Sequence, residues 1–168
     1  MIETKNLLLK EYDERYCERA HVNFFSSHVT AKYVLWRPTE TAKDVKDKIE
    51  YWLNDVKVSV FYMIHTKDDE PIGFVCVDEI EDKVYGNLGI ALGENYVNKG
   101  YGSEVLTTLI NELKQAGARE IYYSHFKENE ASKRLALKHG FIFYKEDKRT
   151  RRYDNKEFNE LCYVLKLD

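Results

Sequence analysis

The chain has 168 residues, of which 43% are hydrophobic and 33% charged, with two prolines. That length suits one hydrophobic core, here taken as a single domain over residues 1–168, and that balance excludes a disordered or low-complexity chain. A formal charge of −3 with both signs interspersed provides no strong field to gather nucleic acid or an anionic membrane, so neither is expected as a partner.

The opening MIETKNLLLKEYDE is charged on both sides of a short apolar run, unlike a signal peptide or a membrane span, and a cytoplasmic protein is expected. Apolar alternation from Thr4 to Tyr12 predicts a first strand. Asp13 is a helix N-cap in front of a mixed segment reaching His28. Trp36-Arg37-Pro38 interrupts. Thr39 or Thr41 then caps an amphipathic helix, Ala42 to Val56, with Val45, Ile49, Trp52 and Leu53 on one face.

Val58 to His65 and Ile72 to Ile80 are runs rich in Val, Phe and Tyr joined by the charged stretch Thr66 to Pro71, and they read as a hairpin covered on both faces. After the turn Glu81-Asp82-Lys83, Val84 to Leu92 adds a strand carrying Gly86 and Gly89, residues that weaken a strand and need a local reason. From Gly102 to Ala116, Val105, Leu106, Leu109, Ile110 and Leu113 recur at helical spacing until Gly117 ends the run. A strand over Glu120 to Phe126, a helix from Asn129 to His139 closed by Gly140, and strands near Phe141 to Lys148 and Glu160 to Leu167 complete the order. The helix between Leu92 and Glu120 acts as a crossover, so its flanking strands run parallel inside a mainly antiparallel sheet; the fold class is α+β.

Cys17, Cys76 and Cys162 are odd in number and lack CxxC spacing, which favours buried free thiols over a disulfide framework or a zinc site. The stretch that carries chemistry is Val97-Asn98-Lys99-Gly100-Tyr101-Gly102-Ser103, a glycine-punctuated loop leaving a strand and opening a strong helix. The free N–H groups of a first helical turn, the positive end of the helix dipole and the absence of side chains at glycine suit a pyrophosphate, and Lys99 adds a charge. It is neither a Walker A loop, where lysine follows the glycine, nor a dinucleotide fingerprint, because Val105 stands where a third small residue belongs.

At these residues the chain resembles the GNAT acetyltransferases, particularly the branch that includes the ribosomal-protein alanine acetyltransferases. The likeness spans nearly the whole chain: the opening IETKNLLLKEYD, Trp36 between the first helices, the meander ending LGIALGENY, the loop VNKGYGSE, and NEASKRLALKHGF. It implies a mixed sheet of six to seven strands with about four helices, in which the fourth and fifth predicted strands splay apart. It implies acetyl-CoA as acetyl donor, no metal, and a primary amine as acceptor, either a small molecule or a protein N-terminus. Monomer and homodimer are both compatible.

By the same resemblance, the backbone of Ile90, Ala91 and Leu92 meets the pantetheine arm, Val97, Asn98, Lys99, Gly100, Tyr101, Gly102 and Ser103 wrap the pyrophosphate, and Asn129 and Ser132 line the arm's far side. Trp36 walls the acceptor pocket. Three positions depart from the common pattern: Val97 replaces an Arg or Gln, Asn87 replaces a glutamate base, and Ala136 replaces a tyrosine acid. Acetyl transfer needs a neutral amine and a proton donor for the thiolate, so Ser132 is the expected general acid and Glu79 the first candidate base, with Glu94 and His125 as alternatives. The three departures together motivate a non-catalytic acyl-CoA-binding module as the other reading. The tyrosines are read as strand packing, and the basic run Lys148, Arg149, Arg151 and Arg152 as a solvated edge strand.

Overall fold

The computed structural model describes residues 1–167. One eight-stranded sheet runs through it: β1 (Ile2–Glu3), β2 (Leu7–Lys10), β3 (Val60–Thr66), β4 (Pro71–Glu81), β5 (Val84–Leu92), β6 (Glu120–Phe126), β7 (Ile142–Arg151) and β8 (Lys156–Lys166). Their spatial order is β1-β2-β3-β4-β5-β6-β8-β7. Every neighbouring pair is antiparallel except β5 and β6, which the crossover helix makes parallel as expected. The helices are α1 (Cys17–Ala20), α2 (Ala42–Tyr51), α3 (Tyr101–Gln115) and α4 (Glu130–Lys138).

Side-chain alternation sorts the sheet into two faces. Ile64, Val75 and Val77 join the buried cluster that receives Val105, Leu106, Leu109, Ile110 and Leu113 of α3. Their neighbours Phe61, Met63 and Phe74 join the opposite cluster with Phe24 and Phe25 after α1 and Val45 and Ile49 of α2. A strand places successive side chains on opposite faces, so one run of residues feeds both cores. Burying each large apolar side chain contributes about 1.5–3 kcal/mol before entropy is counted.

Three expectations about the fold change. The predicted first strand contracts to Leu7–Lys10, and Ile2–Glu3 folds back onto it as a further short strand, which takes the count to eight. The predicted helix from Asp13 to His28 is a relay of a 3-10 turn (Glu14–Tyr16), α1 and a π turn (His21–Phe25); Asp13 does cap it, accepting from the Arg15 N–H at 3.0 Å. In the π turn the consecutive Phe24 and Phe25 both lie inside at 0% exposure. The last two strands are longer than the apolar pattern predicted, because β7 is an exposed edge whose charged residues continue the ladder to Arg151.

Of the two proposed caps for α2, Thr41 is the one used, in a capping box with Asp44. The α1 region is pinned to the β3–β4 turn by ionic and hydroxyl contacts. Asp69 accepts from Lys10 Nζ at 2.6 Å and from the Tyr16 hydroxyl at 2.5 Å. Hydrogen bonding from Lys10, then from Tyr16, pulls the Asp69 carboxyl down to about 2.

Candidate active site

The β5–β6 ladder consists of Val84 opposite Glu120 and Tyr85 opposite Ile121, after which the strands part. The opening is a cleft of about 1330 Å³ whose walls include Asn87, Ile90 and Ala91 of β5 and Tyr123 of β6, with Asn129 and Ser132 from the start of α4. Past Tyr85 and Ile121 no ladder pair joins the two strands. The free edge of β5 is therefore main chain facing the cleft.

At the C-terminal end of β5 a 3-10 turn (Glu94–Tyr96) leads into the loop Val97 to Gly100 and then α3. Gly100 sits at φ 82° as the N-cap, a left-handed conformation that favours glycine. It supplies no capping side chain, and the first backbone bond into the helix runs from Glu104 N–H to the Gly100 carbonyl. The N–H groups of Tyr101, Gly102 and Ser103 thus have no acceptor within the helix. A Cβ added at Gly102 would meet only Leu135 Cδ2, at 3.7 Å, so the protein's own packing does not demand glycine there. Val97, Asn98 and Lys99 are exposed on the same loop.

At the head of α4, the Asn129 side chain accepts from the Ser132 N–H at 3.2 Å and so caps the helix. The Ser132 hydroxyl lies 2.6 Å from that of Tyr123, a hydrogen bond in which either oxygen can donate. Burial pushes the Tyr123 phenol up to about 12, so it keeps its proton at neutral pH. Tyr123 was passed over in the sequence because a strand tyrosine ordinarily packs; its pairing with Ser132 comes from the β6–α4 contact and leaves no sequence signal.

The candidate bases separate. Glu79 does not reach the cleft: it is exposed, and its carboxylate accepts the Lys83 N–H at 2.9 Å to close the β4–β5 turn. The cause is strand alternation, which turns Glu79 away and brings Asp78 onto the cleft wall. Asp78 accepts from Asn87 Nδ2 at 3.2 Å and from the Ser59 N–H at 3.2 Å. Asn87 sits at φ 52° where the β4–β5 register shifts, which accounts for a strand weakened by neighbouring glycines. Glu94 accepts from Ser27 and lies outside the cleft wall. His125 lines the cleft, but its Nδ1 faces the Phe126 carbonyl at 2.8 Å and its Nε2 faces the Tyr163 hydroxyl at 3.0 Å. Nδ1 must then carry the proton and Nε2 must accept, so the ring is already occupied; burial also lowers its pKa.

The far wall is aromatic. Trp36 packs against Phe25 at 5.3 Å and Phe74 at 6.2 Å between ring centroids, and it also faces the cleft, so the core and pocket readings of this residue hold together. Trp52 and Phe74 continue that wall. Ile90 and Ala91 face the cleft, whereas the Leu92 carbonyl accepts from Thr30 Oγ1 at 3.3 Å. Ala136 is fully buried in the core, which leaves no room for a proton donor at that position. Cys76 lines the cleft as well, with its thiol pushed up to about 12 by burial, and Cys17 and Cys162 are buried free thiols. Among the described residues no three His, Cys, Asp or Glu side chains form a metal-binding group. No helix among them is long and apolar enough to cross a membrane.

Residues 6–142 match the model of a protein family described as an acetyltransferase (GNAT) domain. No curated protein sequence matches the chain. Among solved structures, a GNAT-family acetyltransferase from Bacillus anthracis is similar at 21% identity, with 98% of this chain and 97% of that one covered and a TM-score of 0.82. RimL, a ribosomal alpha-N-protein acetyltransferase in complex with coenzyme A, aligns at 21% identity over 98% of this chain and 96% of its own, with a TM-score of 0.79. Spermidine N-acetyltransferase from Vibrio cholerae, in complex with CoA and spermine, aligns at 14% identity over 95% of each chain, also at 0.79.

Proposed function

This chain belongs to the GNAT acetyltransferase family, and from that premise we propose that it moves the acetyl group of acetyl-CoA onto the α-amine of a polypeptide N-terminus. The whole chain acts as one catalytic domain. The observation that carries the acceptor class is the cleft itself: a wide groove of about 1330 Å³ with aromatic walls and charges of both signs. A polyamine carries several positive charges and calls for a closed, uniformly acidic pocket; here Asp78, Glu81, Glu120, Asp147 and Glu160 share an open wall with Arg119, Lys145 and Arg149. The likeness to the ribosomal alpha-N-protein acetyltransferase agrees with a protein acceptor, while the spermidine enzyme keeps the small-amine alternative open to test.

The donor fits this chain at three places. Uncapped N–H groups at the head of α3, with the space above Gly102, suit the pyrophosphate, and the side chains of Val97, Asn98 and Lys99 border it. The free edge of β5 through Ile90 and Ala91 suits the amide-bearing arm, with Asn129 and Ser132 across from it, while the Leu92 carbonyl is already taken by Thr30. Bound acetyl-CoA supplies an activated thioester whose carbonyl is open to attack. A β5 N–H facing the cleft steadies the oxyanion that attack creates.

An α-amine has an ordinary pKa near about 8 and must lose a proton before it is nucleophilic. Asp78, held by Asn87 and the Ser59 N–H, takes the proton-accepting role in place of Glu79. Ser132 donates to the departing thiolate, and Tyr123, still protonated and hydrogen-bonded to it, restores the serine proton. Trp36 walls the acceptor end.

Calorimetric titration with acetyl-CoA, followed by thiol release against short peptides beginning with Ala or Ser and against spermidine, tests this reading. Release with peptides supports it, release with spermidine alone replaces the acceptor class, and binding without release to either favours an acyl-CoA-binding module.

A further inference from the structure

Nine of the ten residues of β7 are exposed, and the tenth is Arg151 at 6%. The basic run therefore divides: Lys148, Arg149 and Arg152 are solvated as the sequence suggests, and Arg151 is not. A buried guanidinium is costly unless its donors are satisfied, and this one is held on every side. Its Nη1 donates to the carbonyls of Ala31 at 3.2 Å, Lys32 at 3.1 Å and Val34 at 3.1 Å. Nε and Nη2 donate to Asp154 at 3.0 and 2.7 Å, and the guanidinium carbon lies 4.9 Å from the Tyr153 ring centroid and 5.0 Å from that of Phe158.

The three carbonyls belong to the 3-10 turn Thr30–Tyr33 and the residue that follows it, and that of Ala31 also accepts the Val34 N–H at 3.3 Å. Immediately after them come Leu35 and Trp36, and Tyr33, Val34, Leu35 and Trp36 all line the cleft. This stretch lacks a strand or α-helix to hold it. To the Thr30–Leu92 hydrogen bond and the packing of Trp36, Arg151 adds an anchor from across the chain, at a separation of 120 residues from Ala31.

We infer that Arg151, oriented by Asp154, is a positioning residue that clasps segment 30–36 from the β7–β8 turn and so fixes the acceptor wall that carries Trp36. It touches neither donor nor acceptor and acts through the loop carbonyls. The clasp rests on the proposed function only for its kinetic consequence; the ordering of the loop stands apart from it. Lysine keeps the charge but cannot reach three carbonyls and a carboxylate at once, so the fork geometry is what Arg151→Lys removes.

Arg151→Lys and Asp154→Asn would be compared with the wild type in two arms. In amide hydrogen exchange, residues 30–36 should exchange about tenfold faster or more in Arg151→Lys while α3 stays as protected as before. In kinetics with acetyl-CoA and short Ala- or Ser-initiated peptides, acceptor KM should rise about tenfold, with the acetyl-CoA Kd within about twofold and kcat within about threefold. Asp154→Asn should move both readouts the same way by less, and it serves if Arg151→Lys does not fold. Unchanged exchange at 30–36 overturns the clasp. Faster exchange with an unchanged acceptor KM, or an equal loss of acetyl-CoA affinity, overturns its positioning role. If the wild type transfers to no peptide, the peptide acceptor is wrong, and exchange at 30–36 alone decides the clasp.

Discussion

At the head of α3 the surface proposed for the donor is main chain. Seven consecutive residues, Val97 to Ser103, bring uncapped N–H groups and glycine together, and the free edge of β5 continues them. On the α2 flank it is side chain: Trp36, Trp52 and Phe74 come from three separate segments and rest on Phe25, and Arg151 bonds the segment that leads into Trp36. A group common to every turnover can be met by a local backbone motif, whereas a wall that selects one acceptor is assembled from distant side chains that can vary one at a time. The difference teaches that the two flanks should fail separately.

The largest test of that separation is Phe25→Ala. Phe25 is 0% exposed, stacks on Phe74 at 5.5 Å and supports Trp36, so its loss should cost about 3–5 kcal/mol in urea unfolding. The folded fraction should still bind acetyl-CoA with unchanged Kd; an equal loss of affinity would break the comparison. Between the flanks, Ser132→Ala should lower kcat by about a hundredfold in stopped thiol-release assays with acetyl-CoA affinity retained, and Tyr123→Phe by about tenfold. Equal turnover in Ser132→Ala and wild type removes the serine from the mechanism.

On the main-chain flank, Gly102→Ala should weaken acetyl-CoA binding about tenfold by calorimetry, about 1.4 kcal/mol, with little change in Tm because the added Cβ makes only ordinary contact, 3.7 Å from Leu135 Cδ2. The smallest effect is pH-dependent. The Asp69 carboxyl, held at about 2 by Lys10 and then Tyr16, contributes stability that is complete above the ordinary carboxylate pKa near pH 4 and is lost as pH falls from about 4 to 2. The group is partly exposed, so the gain is modest. Asp69→Asn should flatten the acid limb of a Tm-against-pH curve in that window without moving acetyl-CoA Kd at neutral pH.

Period-two and helical patterning made most of this fold legible before any coordinates. The α3 stripe, the hairpin of β3 and β4, and the crossover that forces β5 and β6 parallel all follow from residues close in sequence, whose spacing matches the period of the element they form. The phosphate-type loop was legible for the same reason, since a helix N-terminus and its glycines are neighbours along the chain. Legibility ended where a contact spans many residues or turns on a single register step. Glu79 and Asp78 are adjacent in sequence and point to opposite sides, and Gly86 and Gly89 mark a disturbed strand without fixing that the register shifts at Asn87.

Sequence by itself therefore determined the mixed sheet with its parallel pair and the order of its main strands and helices, because those depend on local periodicity. Tertiary structure alone decided which carboxylate faces the cleft, that Tyr123 partners Ser132, and that Arg151 is buried on the carbonyls of segment 30–36. Those are consequences of packing one element against another, where a shift of one residue reverses the direction of a side chain and a charged edge can hide one of its own members.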